Sequence, residues 1–159
     1  ASSDTVFKGS MCFVAGNGDY RLRTRETKAS TDELELEALT LALKYLLKVG
    51  ARKAVIESDS VAALEAVEQI VHKRGSKASR PGRTWRGVSS GARSRFQQAW
   101  GDIQGQCEVD IRRVLGHAGD PLNRAADQIA YMGLRAIAHP MKQSRETLRE
   151  GIQKALLAL

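Results

Sequence analysis

Apolar and polar positions repeat along this chain with two different periods, and the switches between them mark out its elements. MCFVA, the turn-forming Gly16-Asn17-Gly18-Asp19 and YRLRTRET read as a β-hairpin, because glycine and asparagine tolerate the tight reversal between two alternating runs. TDELELEALTLALKYLLK changes to a helical period, with Ser30 or Thr31 placed to cap its start and Gly50 to stop it. At about 100° per residue, Glu33, Glu37, Thr40, Lys44 and Lys48 form a polar stripe. Leu34, Ala38, Leu41, Ala42, Tyr45 and Leu46 form the opposite, apolar face, and Glu35 falls in the middle of it.

AVIES is a short apolar strand ending at Asp59. SVAALEAVEQIVHK is a second helix, with Val61, Leu64, Val67 and Val71 on one face. GSKASRPGRTWRG is a basic loop rich in helix breakers, and SSGARSRFQQAWGDIQG a third helix with Phe96 and Trp100 on one side. CEVDIRRVL is a strand, and PLNRAADQIAYMGLRAIA a helix with proline in its first turn. Pro140 interrupts, and SRETLREGIQKALLAL makes a last amphipathic helix through Leu148, Ile152, Ala155, Leu156 and Leu159. This order predicts an α/β domain with a mixed sheet, antiparallel at its start and parallel later. Ligands of such sheets gather beyond the carboxyl ends of the parallel strands, where Asp59 lies.

At 159 residues the chain is long enough for one well-packed domain. A net charge of +7 points to a polyanionic partner. The excess is concentrated, since Lys73 to Arg95 holds eight Lys or Arg and no Asp or Glu. Cys12 and Cys107 fall in separate predicted strands and read as buried free thiols in a reducing compartment. The chain shows neither a signal peptide nor an apolar run of transmembrane length, so a cytoplasmic protein is expected.

A carboxylate on a buried face must be paired, protonated or bound to a cation. Several of them at strand and helix ends would make a site for a hard metal ion. Each acid also has an ordinary reading: Glu35 at the rim of the core, Asp59 as a helix cap, Asp127 as an exposed helix residue. In GHAGDPLNRAAD, His117 follows a strand in a glycine-flanked loop, and Asn123 and Asp127 share a helix face.

ELEALTLAL, ESDSVAAL and GHAGDPLNRAAD, in this order, closely resemble the three motifs of type 1 ribonuclease H. The likeness runs from the N-terminus to about Ala138, which divides the chain into a ribonuclease H-like domain, 1–138, and a C-terminal helical extension, 139–159. It implies a five-stranded mixed sheet flanked by helices. It also implies a metal-dependent endonuclease that cuts the RNA strand of RNA–DNA hybrids with two Mg²⁺ ions, Mn²⁺ being an alternative. Glu35, Asp59 and Asp127 would be metal-binding carboxylates, with Asp4 the candidate for the fourth, in DTVFKGS where the family has D-G-S and glycines. His117 would assist proton transfer and product release, and Asn123 and Ser60 would contact substrate. Lys73, Arg74, Lys77, Arg80, Arg83 and Arg86, around Trp85, resemble the family's basic protrusion, which grips the hybrid. Thr31-Asp32 stands where family members often carry two amides that read the minor groove. A monomer is expected, with the last helix as a packing or partner-binding element. Other readings remain open on the residues alone: a non-catalytic nucleic-acid-binding module on the same fold, a resolvase or transposase core, or the ribonuclease H domain of a reverse transcriptase.

Overall fold

The computed structural model describes residues 7–72, 88–115, 119–140 and 145–159. In chain order these form β1 (Phe7–Val14), β2 (Tyr20–Thr27), α1 (Thr31–Val49), β3 (Lys53–Ser58), α2 (Val61–His72), α3 (Ser90–Ile103), β4 (Glu108–Arg113), α4 (Pro121–Ala138) and α5 (Arg145–Leu157). The architecture is α/β, and the order of elements is the expected one. Among the described residues the four strands pair as two ladders, β1 with β2 and β3 with β4. Internal contacts divide the chain into two units, one from residues 1–28 and 115–159, the other from 29–114.

In the first unit β1 and β2 are antiparallel, with Val14 opposite Tyr20 and Phe7 opposite Thr27. The reversal closes as its residues predict. The Ala15 N–H donates to the Asp19 carbonyl at 2.7 Å, and the Asn17 side chain accepts from the Asp19 N–H at 2.9 Å. Gly18 takes a φ of 87°, which disfavours a side chain. One face of the hairpin packs against α4, and α5 packs on α4. Cys12, Ile129 and Ile152 form the buried centre, flanked by Val14, Tyr20, Leu22, Leu148 and Leu156. The final helix is therefore part of this core through Ile152, while Leu159 lies beyond the end of α5 and is exposed.

The second unit is built on α1 against α3, with α2 against both. Phe96, Leu36, Leu43 and Ile103 are its fully buried large side chains. Trp100 stacks on Phe96 with ring centroids 6.3 Å apart and 11° between planes. Ser30 caps α1, accepting from the Glu33 N–H at 3.1 Å, and Gly50 ends it in the left-handed conformation at φ 68°. β3 and β4 run parallel, Lys53 opposite Glu108 and Ser58 opposite Arg113. Cys107 is buried immediately before β4 rather than within it.

One expectation about a helix face is corrected. Glu37 and Thr40, assigned to a solvated stripe, are buried, because α1 is covered on more than one side. On α2, Val61, Leu64, Val67 and Val71 share one face, as expected, and line an open groove of about 520 Å³ with Trp100, Val109 and Ile111, while Ala63 and Ala66 are fully buried.

Gly133 in α4 gives a test of the first unit. A Cβ there would meet Leu22 Cδ1 at 2.8 Å, Thr24 Cγ2 at 2.9 Å and Ser10 Oγ at 3.0 Å. Gly133→Ala is expected to destabilise the protein by about 1–3 kcal/mol through overpacking against the strands. At Gly151 the added methyl would meet the sulfur of Met132 at 2.6 Å, the flexible part of a side chain that can move aside. Gly151→Ala is therefore expected to be neutral or stabilising by up to about 1 kcal/mol, the usual gain of alanine in a helix. Urea unfolding of the two variants beside the parent checks both signs.

Candidate functional site

Glu35 lies in the second turn of α1, half-buried. Its neighbours on either side face α3. The Glu33 carboxylate accepts from the Ser89 N–H at 2.9 Å, and Glu37 is ion-paired with the guanidinium of Arg95. Two residues along a helix turn the side chain by about 200°, so Glu35 is directed away from the side held by α3. The sequence pattern separated Glu35 from its two neighbours correctly, but did not show that the side of Glu37 is buried as well.

Asp59 sits half-buried at the carboxyl end of β3, beside the parallel strand β4. A tight local network sets the chain direction there. The buried Ser58 hydroxyl accepts from the Ser60 N–H at 3.2 Å, and the Ser60 hydroxyl accepts from the Ala63 N–H at 3.2 Å. Ser60 thus fills the capping role for α2.

Asn123 and Asp127 lie on α4, whose first turn is fixed by Pro121 and by the Asp120 side chain accepting from the Asn123 N–H at 2.8 Å. Asn123 is half-buried and Asp127 exposed. The negative charge of Asp127 is felt at Cys12 on β1. Burial is the larger cause and the Asp127 carboxylate the second, and together they push the Cys12 thiol up to about 12. Burial, with the Glu108 carboxylate second, also raises the Cys107 thiol. Both cysteines are free thiols, as expected.

Glu35, Asp59 and Ser60 belong to one unit, Asn123 and Asp127 to the other. Asp4, His117 and the basic residues Lys73, Arg74, Lys77, Arg80, Arg83 and Arg86, with Trp85, lie outside the described residues. Among the described residues no group of three or more His, Cys, Asp or Glu is placed to hold a metal ion. In donor chemistry Glu35, Asp59 and Asp127 fit a hard divalent cation, since all three offer carboxylate oxygens. Arg95, the last cation of the basic run, is ion-paired with Glu37. The Glu37–Arg95 and Glu33–Ser89 ties that flank Glu35 escaped the sequence reading, because their partners are 58 and 56 residues apart. Among the described residues no helix is long and apolar enough to cross a membrane.

The model of the RNase H family matches residues 1–135, and this chain belongs to that family. It is 30% identical over 121 residues to a ribonuclease H from Maricaulis maris (strain MCS10), covering 71% of this chain and 72% of that one. Its fold is similar to the N-terminal RNase H domain of a Mycobacterium tuberculosis protein solved as a fusion with maltose-binding protein. The TM-score is 0.55 at 16% identity, over 86% of this chain and 97% of that one.

The Cys12 environment predicts a pH effect. Its folded pKa, about 12, stands above the ordinary 9.0. The unfolded chain therefore loses this proton first as pH rises. Stability linked to Cys12 is intact below about pH 9 and falls by about 1.4 kcal/mol per pH unit between 9 and 12. Urea unfolding across that window should show a shallower fall for Cys12→Ala than for the parent. In Asp127→Asn the thiol should ionise at lower pH, read from thiolate ultraviolet absorbance.

Proposed function

We propose that this protein is a metal-dependent endoribonuclease that hydrolyses the RNA strand of RNA–DNA hybrids, leaving 5′-phosphate and 3′-hydroxyl ends. One observation carries the reading: the family match over residues 1–135 takes in all three acid-bearing motifs, ELEALTLAL, ESDSVAAL and GHAGDPLNRAAD. The position of Asp59 at the carboxyl end of a parallel strand supports it.

In this reading Glu35, Asp59 and Asp127, with Asp4, hold the ions through carboxylate oxygens, and Mg²⁺ is the cation such donors suit, Mn²⁺ the alternative. Two divalent ions, when bound, supply a nucleophilic water near neutral pH and neutralise charge on the attacking and leaving oxygens. The chain's own contribution is placement. Turning Glu35 away from Glu33 and Glu37 keeps its carboxylate out of the ties to α3. His117 moves a proton during hydrolysis. Asn123 and Ser60 hydrogen-bond the substrate. Lys73, Arg74, Lys77, Arg80, Arg83 and Arg86 neutralise phosphates, and Trp85 stacks on a sugar or base. A hybrid is distinguished by its A-like shape and by the 2′-hydroxyls of one strand. Residues 1–138 form the nuclease domain, and 139–159 a helical extension. Two free thiols agree with work in a reducing, cytoplasmic compartment.

The test is cleavage of a labelled RNA–DNA hybrid by purified protein with and without Mg²⁺, with the end groups identified. Asp59→Asn removes one anionic ligand and is expected to lose about 4 kcal/mol of transition-state stabilisation, roughly a thousandfold in rate, with its thermal unfolding little changed. Full activity of that variant, or equal cleavage in chelator, sinks the proposal. Binding of the hybrid without any metal-dependent cutting would select a non-catalytic module instead.

A further inference from the structure

The hairpin of the first unit has two chemically different faces. Cross-strand partners share a face, so Lys8 and Glu26, Ser10 and Thr24, Cys12 and Leu22, and Val14 and Tyr20 lie on one side. That side meets α4, as the approach of Gly133 to Ser10, Leu22 and Thr24 shows. The other side carries Phe7 with Thr27, Gly9 with Arg25, Met11 with Arg23, and Phe13 with Arg21. Arg21, Arg23 and Arg25 of β2 are exposed, as is Phe7 at the end of β1, whereas Gly9 and Met11 of β1 are buried, so the open part of this side is the β2 row with Phe7.

We propose that the exposed β2 row of this face is a nucleic-acid contact surface, with Arg21, Arg23 and Arg25 reading the phosphates of one strand. The site lies outside the residues assigned to cleavage, and its binding needs no divalent ion. Three features select the partner. The arginines recur every second residue, which sets their origins about 6.6–6.8 Å apart in a straight row. That repeat is comparable to the spacing of neighbouring phosphates along one strand. None of the eight strand positions on this face is acidic, since Glu26 stands on the opposite face across from Lys8. Arginine is also the cation whose forked donors match phosphate geometry. Arg21 gives one N–H to the Tyr20 carbonyl at 2.8 Å. The exposed ring of Phe7 adds a platform on which a base can stack.

The ordinary explanation of charge here is edge protection. Among the described residues β2 pairs with β1 alone, and charged side chains discourage further strand pairing. Edge protection asks for charge of either sign and predicts no affinity for polyanions. The nucleic-acid reading asks for positive charge at these three positions.

Binding of a short duplex DNA, titrated against salt in chelator, separates the two. Each arginine on a phosphate contributes about 0.9 to the slope of log affinity against log salt. Replacing all three by glutamine is expected to lower that slope by about 2–3, and Arg23→Gln alone by about one. The triple lysine variant keeps the charge and should keep the slope. A charge-matched control, Lys44→Gln with Lys48→Gln and Arg52→Gln, should change it by less than about one. The single variant serves if the triple glutamine protein fails to fold, as judged by circular dichroism. An unchanged slope in the arginine variants, or an equal loss in the control, overturns the proposal. Duplex DNA is not the substrate of the proposed cleavage, so a failure to cut hybrids leaves this result standing.

Discussion

Two strands paired only with each other do not hold in water. The β1–β2 hairpin stands because α4 comes close enough that Gly133 has no room for a methyl group against Ser10, Leu22 and Thr24. That approach buries Cys12 and Ile129 and brings α5 into the same core through Ile152. It also sets α4, and with it Asn123 and Asp127, at a fixed height over β1. The rise in the Cys12 pKa records the same geometry, since the thiol feels both the dry interior and the nearby carboxylate. A substitution that pushed α4 outward would alter packing and electrostatics together.

In the other unit the organising interaction is ionic. Glu37 is buried and paired with Arg95, and a buried carboxylate without its partner would be strongly unfavourable. Glu33 holds the start of α3 through the Ser89 N–H, next to the hydroxyl that caps that helix. Three glutamates at alternate positions therefore divide their work by helical phase. The outer two tie α1 to α3, and the middle one is turned to another side. The end of β3 follows a similar division among Ser58, Asp59 and Ser60, where two hydroxyls satisfy the backbone.

Much of this was legible in the residues because the signals are local. The hairpin turn, the Ser30 cap, the Gly50 stop and the proline-led start of α4 depend on a few neighbouring side chains, and the structure has them where the pattern placed them. The acid-bearing motifs were legible through their order and spacing, which the family match over residues 1–135 supports as a whole. What escaped is non-local. A helical period assigns one buried face, and α1 has several neighbours, so Glu37 and Thr40 were misread as solvated. Pairing between strands distant in sequence leaves no local signature either. Among the described residues two separate ladders stand where a five-stranded sheet was expected.

The first unit is discontinuous in the chain, and this has a bearing on how the protein is made. Its hairpin leaves the ribosome early, whereas α4 and α5, which cover the apolar side of that hairpin, follow only after residues 29–114. The intervening stretch has its own core around Phe96, Leu36 and Leu43, and can condense while the hairpin still waits for its lid. Closing so long a loop adds little to the entropic penalty but delays the contacts that reward it. During that interval Cys12, Val14 and Leu22 are open to water and to other nascent chains, so synthesis is the stage at which this protein is most prone to aggregate.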